Sequence, residues 1–121
     1  MRDHKKLRAF ELADELALAV YRSTARFPQA ELFGLTAQMR RAAVSVASNI
    51  VEGCGRETHA EYLRFLDMAH ASAQELDYQI SLAKRLRYFQ ETDFESLQPL
   101  SLETCRVLNG LVRAVRSEAK G

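Results

Sequence analysis

The feature that most restricts the fold is a long amphipathic run that follows Thr58. Thr58 and Glu61 form a Thr-x-x-Glu capping box, and apolar residues then recur every three or four positions up to about Tyr88. The run predicts a helix of roughly 45 Å, since each residue adds about 1.5 Å. A helix of that length with one apolar face needs partners of similar length. The positions expected to face the core are Tyr62, Phe65, Leu66, Ala69, Ala73, Leu76, Ile80 and Ala83.

Two segments precede this helix. The first covers about residues 8–27 and is stopped by Pro28. Residues 28–36 can hold one helical turn, and Thr36 is the expected N-cap of a second helix that ends at the Gly-Cys-Gly sequence of residues 53–55. In the first segment we expect a core face of Phe10, Ala13, Ala17, Val20, Tyr21 and Thr24, with Leu16 and Phe27 at its edge.

A fourth segment is predicted near the C-terminus. Thr92 and Glu95 form a second capping box, and apolar residues then recur to about Glu118. Pro99 lies inside this segment, so we expect either a kink or a short first turn with Ser101 restarting the helix. Its expected core residues are Leu97, Leu100, Cys105, Leu108, Val112 and Val115.

Four amphipathic segments with short connections are typical of an antiparallel up-and-down four-helix bundle. Only two prolines and five glycines interrupt the chain, which agrees with a helical fold. The sequence therefore predicts an all-α protein in which residues 1–121 form a single domain.

Charge and cysteine content restrict the class of protein. Lys and Arg number 17 against 16 Asp and Glu, so any anionic partner must be met by a local patch or by repetition in an oligomer. No segment approaches the roughly 18 apolar residues of a membrane span, and no targeting segment is recognised at the start. Cys54 and Cys105 suit neither a zinc cage nor a disulfide framework. We interpret them as reduced thiols and predict a cytoplasmic protein without a membrane partner.

The second helix is apolar on two sides. Its predicted core face comprises Leu35, Met39, Ala42, Ala43, Val46 and Ile50. Val44, Ala47 and Val51 fall nearly opposite at about 100° per residue. Two interpretations stay open: this second face contacts another copy of the chain, or small apolar residues simply tolerate exposure.

A polar stripe runs between these two faces. Gln38, Arg41, Ser45, Asn49 and Glu52 are spaced by three and four, and Arg56 follows beyond the glycines. A general acid or base needs a perturbed group within reach of a substrate, and Glu52 is the one candidate in the stripe. We favour a structural role. The Asn49 amide is expected to bridge helices, and Glu52 to meet an arginine or the backbone amides of residues 53–56. The predicted structural polar cluster is Arg41, Ser45, Asn49, Glu52 and Arg56.

The sequence contains no residue pattern that is typical of a metal or cofactor site. His59 and His70 are eleven residues apart, whereas two histidine ligands on one helix are spaced by three or four. No Glu-x-x-His pair of the di-iron kind is present in the sequence. We predict no metal, no cofactor and no enzymatic activity.

Part of the sequence resembles a known family. Residues 27–80 resemble the signature region of four-helix-bundle proteins encoded inside intervening sequences of bacterial large-subunit ribosomal RNA. The matching residues are Phe27-Pro28, Glu31, Gly34-Leu35, Gln38, Arg40-Arg41-Ala42, Ser45, Asn49-Ile50, Glu52-Gly53, Arg56, Ser72 and Glu75-Leu76. Ala47 departs from the pattern, because many members have proline there.

The resemblance implies an up-and-down bundle, often assembled as a ring of five, with no known enzymatic activity. The family is in turn similar to the accessory protein of diversity-generating retroelements, a basic pentamer that binds nucleic acid and a reverse transcriptase. RNA or DNA is therefore the expected partner class, and a protein-binding adaptor or scaffold is the alternative. In either case we expect a homo-oligomer, with a pentamer favoured and Val44, Ala47 and Val51 in its interface.

Basic residues form three groups that a ring would repeat around one axis. Each group also has a plainer interpretation, as a frayed terminus, a helix end or a solvated face. Aromatic residues for base stacking are not interleaved with them in the sequence, which disfavours recognition of single strands. We number the four predicted helices α1 to α4 in chain order. The N-terminal cations are Arg2, Lys5, Lys6 and Arg8; the α3-end cations are Lys84, Arg85 and Arg87; the α4 cations are Arg113, Arg116 and Lys120.

Overall fold

The computed structural model describes residues 2–118, which are helical or irregular and contain no strand. Short 3₁₀ turns cover His4–Lys6 and Gln29–Glu31. The four helices are α1 (Arg8–Thr24), α2 (Leu35–Cys54), α3 (His59–Arg85) and α4 (Glu91–Glu118).

The helices form a four-helix bundle with short connections. α1 packs against α2 and α4, and α3 packs against the same two helices, so each helix has two neighbours. Consecutive helices run in opposite directions because the connections between them are only 4–10 residues long. The predicted all-α, up-and-down bundle is confirmed.

The core follows the predicted faces of α2 and α3. All eight predicted core residues of α3 and all six of α2 are buried. In α4 the buried face passes through Ser101 and Thr104, and Cys105 lies at its side. The buried face of α1 centres on Leu12, Leu16 and Val20. Leu16 therefore lies inside the core and not at its edge.

The prediction that Tyr21 belongs to the core face of α1 is wrong. Its side chain is 46% exposed, and its ring lies 4.7 Å from the Arg40 guanidinium carbon. A tyrosine can cover its neighbours with the ring while the hydroxyl stays in water, which helical spacing alone does not reveal.

The start of α3 is as predicted, whereas α2 is capped differently. Thr58 Oγ1 accepts a hydrogen bond from the Glu61 amide at 3.1 Å. α2 begins at Leu35, and its first amide donates to Glu31 Oε1 at 3.0 Å. This bond lowers the pKa of Glu31, and a second one from Tyr88 Oη at 2.8 Å acts in the same direction. Thr36 is buried within the first turn, so its prediction as N-cap is wrong.

The ends of α1 and α4 also differ from the predictions. α1 stops at Thr24, before Phe27. α4 begins at Glu91, one residue before Thr92, so the second capping box does not start the helix. Pro99 lies within continuous helix, and the proposed restart at Ser101 is wrong. A proline there removes one backbone donor, a loss that the remaining turns of a long helix outweigh.

α3 ends at Arg85 and not at Tyr88 because the backbone turns sharply at Arg87. Arg87 has φ 63°, in the left-handed region. Its amide donates to the Lys84 carbonyl at 3.0 Å, and the Tyr88 amide donates to the Ala83 carbonyl at 3.1 Å. These two bonds form a Schellman motif, in which the left-handed position is usually glycine.

Candidate nucleic-acid interface

The N-terminal cations are divided between structural contacts and solvent. Arg2 Nη1 donates to the Arg56 carbonyl at 3.2 Å, and the Arg2 guanidinium carbon lies 3.9 Å from the Tyr62 ring centroid. Arg2 therefore fastens the N-terminal segment to the end of the bundle. Lys5 and Lys6 are exposed in the first 3₁₀ turn. Arg8 lies 3.9 Å from a Glu103 carboxylate oxygen.

The α4 cations are partly neutralised. Arg116 Nη2 donates to both carboxylate oxygens of Asp67, at 3.0 and 2.9 Å. Arg113 is exposed, and Lys120 lies outside the described residues. An arginine bound to both oxygens of a carboxylate has little charge left for a second anion.

The α3-end cations keep their charge. Lys84, Arg85 and Arg87 are all exposed, and none of them belongs to an ion pair within residues 2–118. Together with Phe89 and Glu91 they line a hollow of about 460 Å³. Lys84 Nζ lies 4.5 Å from the Phe94 ring centroid. This is the most concentrated group of unpaired positive charge among the three.

Aromatic rings accompany these cations in space, although the sequence does not alternate them. Phe89 lines the hollow, and Phe94 lies under Lys84. Tyr78, on the preceding turns of α3, is 59% exposed and lies 5.9 Å from the Arg85 guanidinium carbon. The lack of interleaved aromatic residues in the sequence therefore does not keep aromatic side chains away from the cations of the α3 end.

The structural polar cluster separates into two parts. In the first, Ser45 Oγ lies 2.9 Å from Ser72 Oγ of α3. Asn49 Nδ2 donates to the Ser45 carbonyl at 2.8 Å and to Ser45 Oγ at 3.0 Å. The expectation that the Asn49 amide bridges two helices is wrong, because these bonds stay within α2. The shorter Ser45 side chain makes the bridge, since it lies nearer to the α2–α3 contact.

The second part is an exposed ion pair at the end of α2. Arg56 Nη2 donates to Glu52 Oε1 at 2.8 Å, and Arg56 Nη1 lies 3.8 Å from Glu61 Oε2. The Arg56 guanidinium carbon lies 4.7 Å from the Phe65 ring centroid. Glu52 thus meets an arginine as expected, but its side chain is 57% exposed. Solvent screening makes such a pair a weak contributor to stability.

Arg41 lines, together with Ser45 of the first part, a hollow between α2 and α3 of about 420 Å³. Arg41 and Glu75 both line this hollow, yet they form no ion pair among the described residues. The hollow is polar and solvent-facing, with the Ser45 and Ser72 hydroxyls at its floor.

The predicted second face of α2 is apolar and accessible in the single chain. Val44 is 43% exposed and Val51 40% exposed, while Ala47 is half-buried. Phe33, just before α2, is 94% exposed. Phe33 precedes the first residue of α2, and the backbone of Gly34 between them is not helical, so helical spacing does not assign Phe33 to this face.

Neither cysteine has the properties of a reactive thiol. Burial raises the pKa of the Cys54 thiol. Burial, with a smaller contribution from the Asp77 carboxylate, raises the pKa of Cys105 to about 11. Both thiols are therefore protonated near neutral pH, and the thiolate is the nucleophilic form.

Residues 2–118 contain neither a cluster of metal-binding side chains nor a membrane-spanning helix. No group of three or more His, Cys, Asp or Glu side chains is arranged to hold a metal ion. None of the helices is both long enough and apolar enough to cross a membrane. His59 Nε2 lies 3.7 Å from Glu118 Oε2.

Comparison with known proteins places the chain in a family. Residues 5–110 match the family described as 23S rRNA-intervening sequence protein. The chain belongs to this family. A crystal structure of a protein of unknown function from the S23 ribosomal protein family of Bacteroides thetaiotaomicron is similar, with a TM-score of 0.77 and 22% identity over 87% of this chain and 95% of that chain. This likeness concerns the fold. No curated protein matches the chain significantly.

The structure brings together residues through which the chain resembles the 23S rRNA-intervening sequence proteins. Gln38, Arg41 and Ser45 come from α2, and Ser72 and Glu75 come from α3. All five line the hollow between these helices. The partnership of Ser45 with Ser72 was not recognised from the sequence, because the two residues are 27 positions apart and nothing in their local pattern connects them.

Proposed function

We propose that this member of the family is a non-enzymatic, cytoplasmic homo-oligomer that binds nucleic acid through basic patches repeated around a ring. The observation that carries the proposal is the group of α3-end cations, which are exposed and have no acidic partner among the described residues. Phosphate groups attract such unpaired Lys and Arg side chains, and their contacts add when a patch is repeated.

The backbone at Arg87 supports the same surface. A left-handed conformation costs a non-glycine residue roughly 1–2 kcal/mol, and glycine is the usual occupant of this position in a Schellman motif. An arginine there adds a third exposed cation to the hollow at the expense of local stability. Strain of this kind concentrates at functional sites.

The second face of α2 supports the oligomer. Val44 and Val51 give α2 of the single chain an apolar strip that is open to solvent. Exposed apolar strips of this kind are typical of surfaces that contact another protein. A second copy of the chain would bury the strip, and a ring of five would repeat the α3-end cations five times.

The test is fluorescence anisotropy with labelled structured RNA and labelled duplex DNA at low salt. We expect both to bind, with affinity falling steeply as salt rises because neutralised phosphates release counterions. The variant Lys84→Glu/Arg85→Glu/Arg87→Glu should lower the affinity roughly tenfold or more and flatten the salt dependence. The comparison variant, Arg113→Glu/Arg116→Glu, reverses two charges and not three, and it should have a smaller effect per reversed charge because Asp67 already occupies Arg116.

A protein-binding adaptor or scaffold is the second candidate, and the exposed Phe33 favours it, since a solvated aromatic side chain can anchor a partner protein. An adaptor would bind neither nucleic acid at low salt while light scattering shows the intact oligomer in the same buffer. That result would replace the nucleic-acid proposal with the adaptor.

A further inference from the structure

We propose that the surface at the end of α3 binds single-stranded nucleic acid, and that Tyr78 is the platform on which an unpaired base stacks. This inference rests on the proposed function, since it uses the α3-end cations, and it adds the strandedness of the ligand. The site is Tyr78 together with Lys84, Arg85 and Arg87.

Tyr78 and Arg85 form an exposed pair on one side of α3. They are seven residues apart, which is two helical turns. Arg85 Nε donates to the Ser81 carbonyl at 3.3 Å, and this bond holds the guanidinium on the side of the helix that carries Tyr78. The Tyr78 ring is 59% exposed, and the Arg85 guanidinium carbon lies 5.9 Å from its centroid. A ring that is open to solvent therefore stands next to an unpaired cation.

The other two cations extend this surface around the helix end. Lys84 and Arg87 line the hollow that also contains Phe89. Lys84 is held over the Phe94 ring at 4.5 Å, so its ammonium group remains at the surface. Proteins that bind single strands combine a basic track for the phosphates with aromatic rings for the bases, and this surface has both.

The exposed ring discriminates between single and double strands. In a duplex the faces of the bases are covered by their neighbours, so Tyr78 has nothing to stack on and only phosphate contacts remain. In a single strand each base has an accessible face, and stacking on one aromatic side chain strengthens binding by a factor on the order of ten or more.

An acidic side chain also lines the hollow at the end of α3. Glu91 lines the same hollow and lowers its positive potential. Replacing it by an uncharged isostere, Glu91→Gln, should therefore strengthen the binding of single strands and of duplex alike, by a modest factor.

The chain contains a matched control pair. Tyr21 is 46% exposed, and the Arg40 guanidinium carbon lies 4.7 Å from its ring. Arg40 differs from Arg85 because its guanidinium donates to Thr24 Oγ1 at 2.9 Å as well as to the Tyr21 carbonyl at 3.3 Å. Tyr21 belongs to α1, whereas the α3-end cations lie at the end of α3.

The experiment measures anisotropy of a labelled oligothymidylate of roughly 20 nucleotides, longer than a typical single-strand site, and of a duplex of the same length. The full chain should bind the single strand more tightly. Tyr78→Leu should weaken single-strand binding roughly tenfold and leave duplex binding unchanged. Tyr78→Phe should bind like the parent, since the ring is kept, and Tyr21→Leu should also bind like the parent.

The outcomes separate this inference from the proposed function. Equal weakening of both nucleic acids by Tyr78→Leu, or no weakening of either, overturns the stacking role while binding itself stands. A change in oligomer mass on Tyr78→Leu also overturns it, because Tyr78 would then contact a second copy. If neither nucleic acid binds the parent protein at low salt, the proposed function fails as well. Circular dichroism of each variant confirms that the exposed substitutions leave the bundle folded.

Discussion

The α3-end cations and the α4 cations look equivalent in the sequence but differ in the fold. Arg116 of α4 is bound by both oxygens of Asp67 on α3, so its charge is neutralised within the bundle. Arg85 and Arg87 have no such partner among the described residues. A protein with a formal charge of +1 can therefore still present a local positive surface, provided that its acidic residues are used elsewhere.

The largest effect is expected from separating the copies of the chain. In Val44→Lys/Val51→Lys the new charges would be desolvated in a contact between copies, so the protein should shift toward monomer. Nucleic-acid affinity should then fall by a factor on the order of a hundred, because repeated contacts are lost. Because the substitutions add positive charge, a loss of affinity for nucleic acid cannot be explained by weaker attraction to the phosphates.

Light scattering and anisotropy measured in the same buffer check this prediction. A parent protein that is already monomeric at micromolar concentration contradicts the oligomer. A variant that becomes monomeric but binds nucleic acid as tightly as the parent shows that a single patch is sufficient, and the repetition around a ring then has no role in binding.

A smaller effect is expected when Arg116 of the α4 cations loses its acidic partner and so becomes like the α3-end cations. Asp67→Asn should release Arg116 and raise nucleic-acid affinity at low salt by roughly twofold to fivefold, through one additional phosphate contact per chain. Loss of the exposed pair should lower the free energy of unfolding by less than about 1 kcal/mol. Asp14→Asn on α1 makes the same change in net charge at an exposed position. If both variants gain affinity equally, only the overall charge matters.

Much of the fold could be predicted because its signals are local. The N-cap at Thr58 and the repeat of apolar residues along α3 need no knowledge of other helices, and both predictions were confirmed. The cap of α2 could not be predicted in this way. Glu31 reaches the Leu35 amide while Tyr88, 57 residues away, holds the same carboxylate.

The candidate site could likewise be predicted only where its signals are local. The pairing of Arg116 with Asp67 joins residues 49 positions apart on two helices, so the sequence gives no indication of which cations stay unpaired. The proximity of Tyr78 to Arg85 could be predicted from the sequence, since a spacing of seven places two residues on one side of a helix. Interleaving of aromatic and basic residues does not reveal this relation, because Tyr78 lies two turns before the basic residues and not between them.

A smaller effect is expected at Arg87, where charge and stability act in opposite directions. Arg87→Gly should raise the free energy of unfolding by about 1 kcal/mol, because glycine adopts the left-handed conformation without the steric cost. It should also weaken nucleic-acid binding severalfold, since one cation of the patch is lost. Urea melts and anisotropy measure the two effects on the same sample.

Arg85→Gly is the matched control for this prediction. It removes the same charge two residues earlier, but Arg85 is the last residue of α3, and glycine lowers helix stability. We expect it to weaken binding and also to lower the free energy of unfolding. A destabilised Arg87→Gly variant contradicts the argument from the backbone conformation, whatever its affinity.

The smallest effect is expected at Glu52, whose partner Arg56 is a third kind of cation, paired yet exposed. Glu52→Ala removes an i,i+4 ion pair with side-chain exposures of 57% and 38%, so the free energy of unfolding should fall by only about 0.3–0.5 kcal/mol. A loss of 1–3 kcal/mol, as a buried charged partner would require, is not expected.

Ser45→Ala is the comparison for Glu52→Ala, because the half-buried Ser45 hydroxyl bridges α2 and α3 and its loss leaves the Ser72 hydroxyl without that partner. We expect urea melts to rank Ser45→Ala as the more destabilised variant. The reverse order would mean that the end of α2 depends on the Glu52–Arg56 pair more than its exposure indicates, and that pairing and not burial decides how much a polar contact stabilises this bundle.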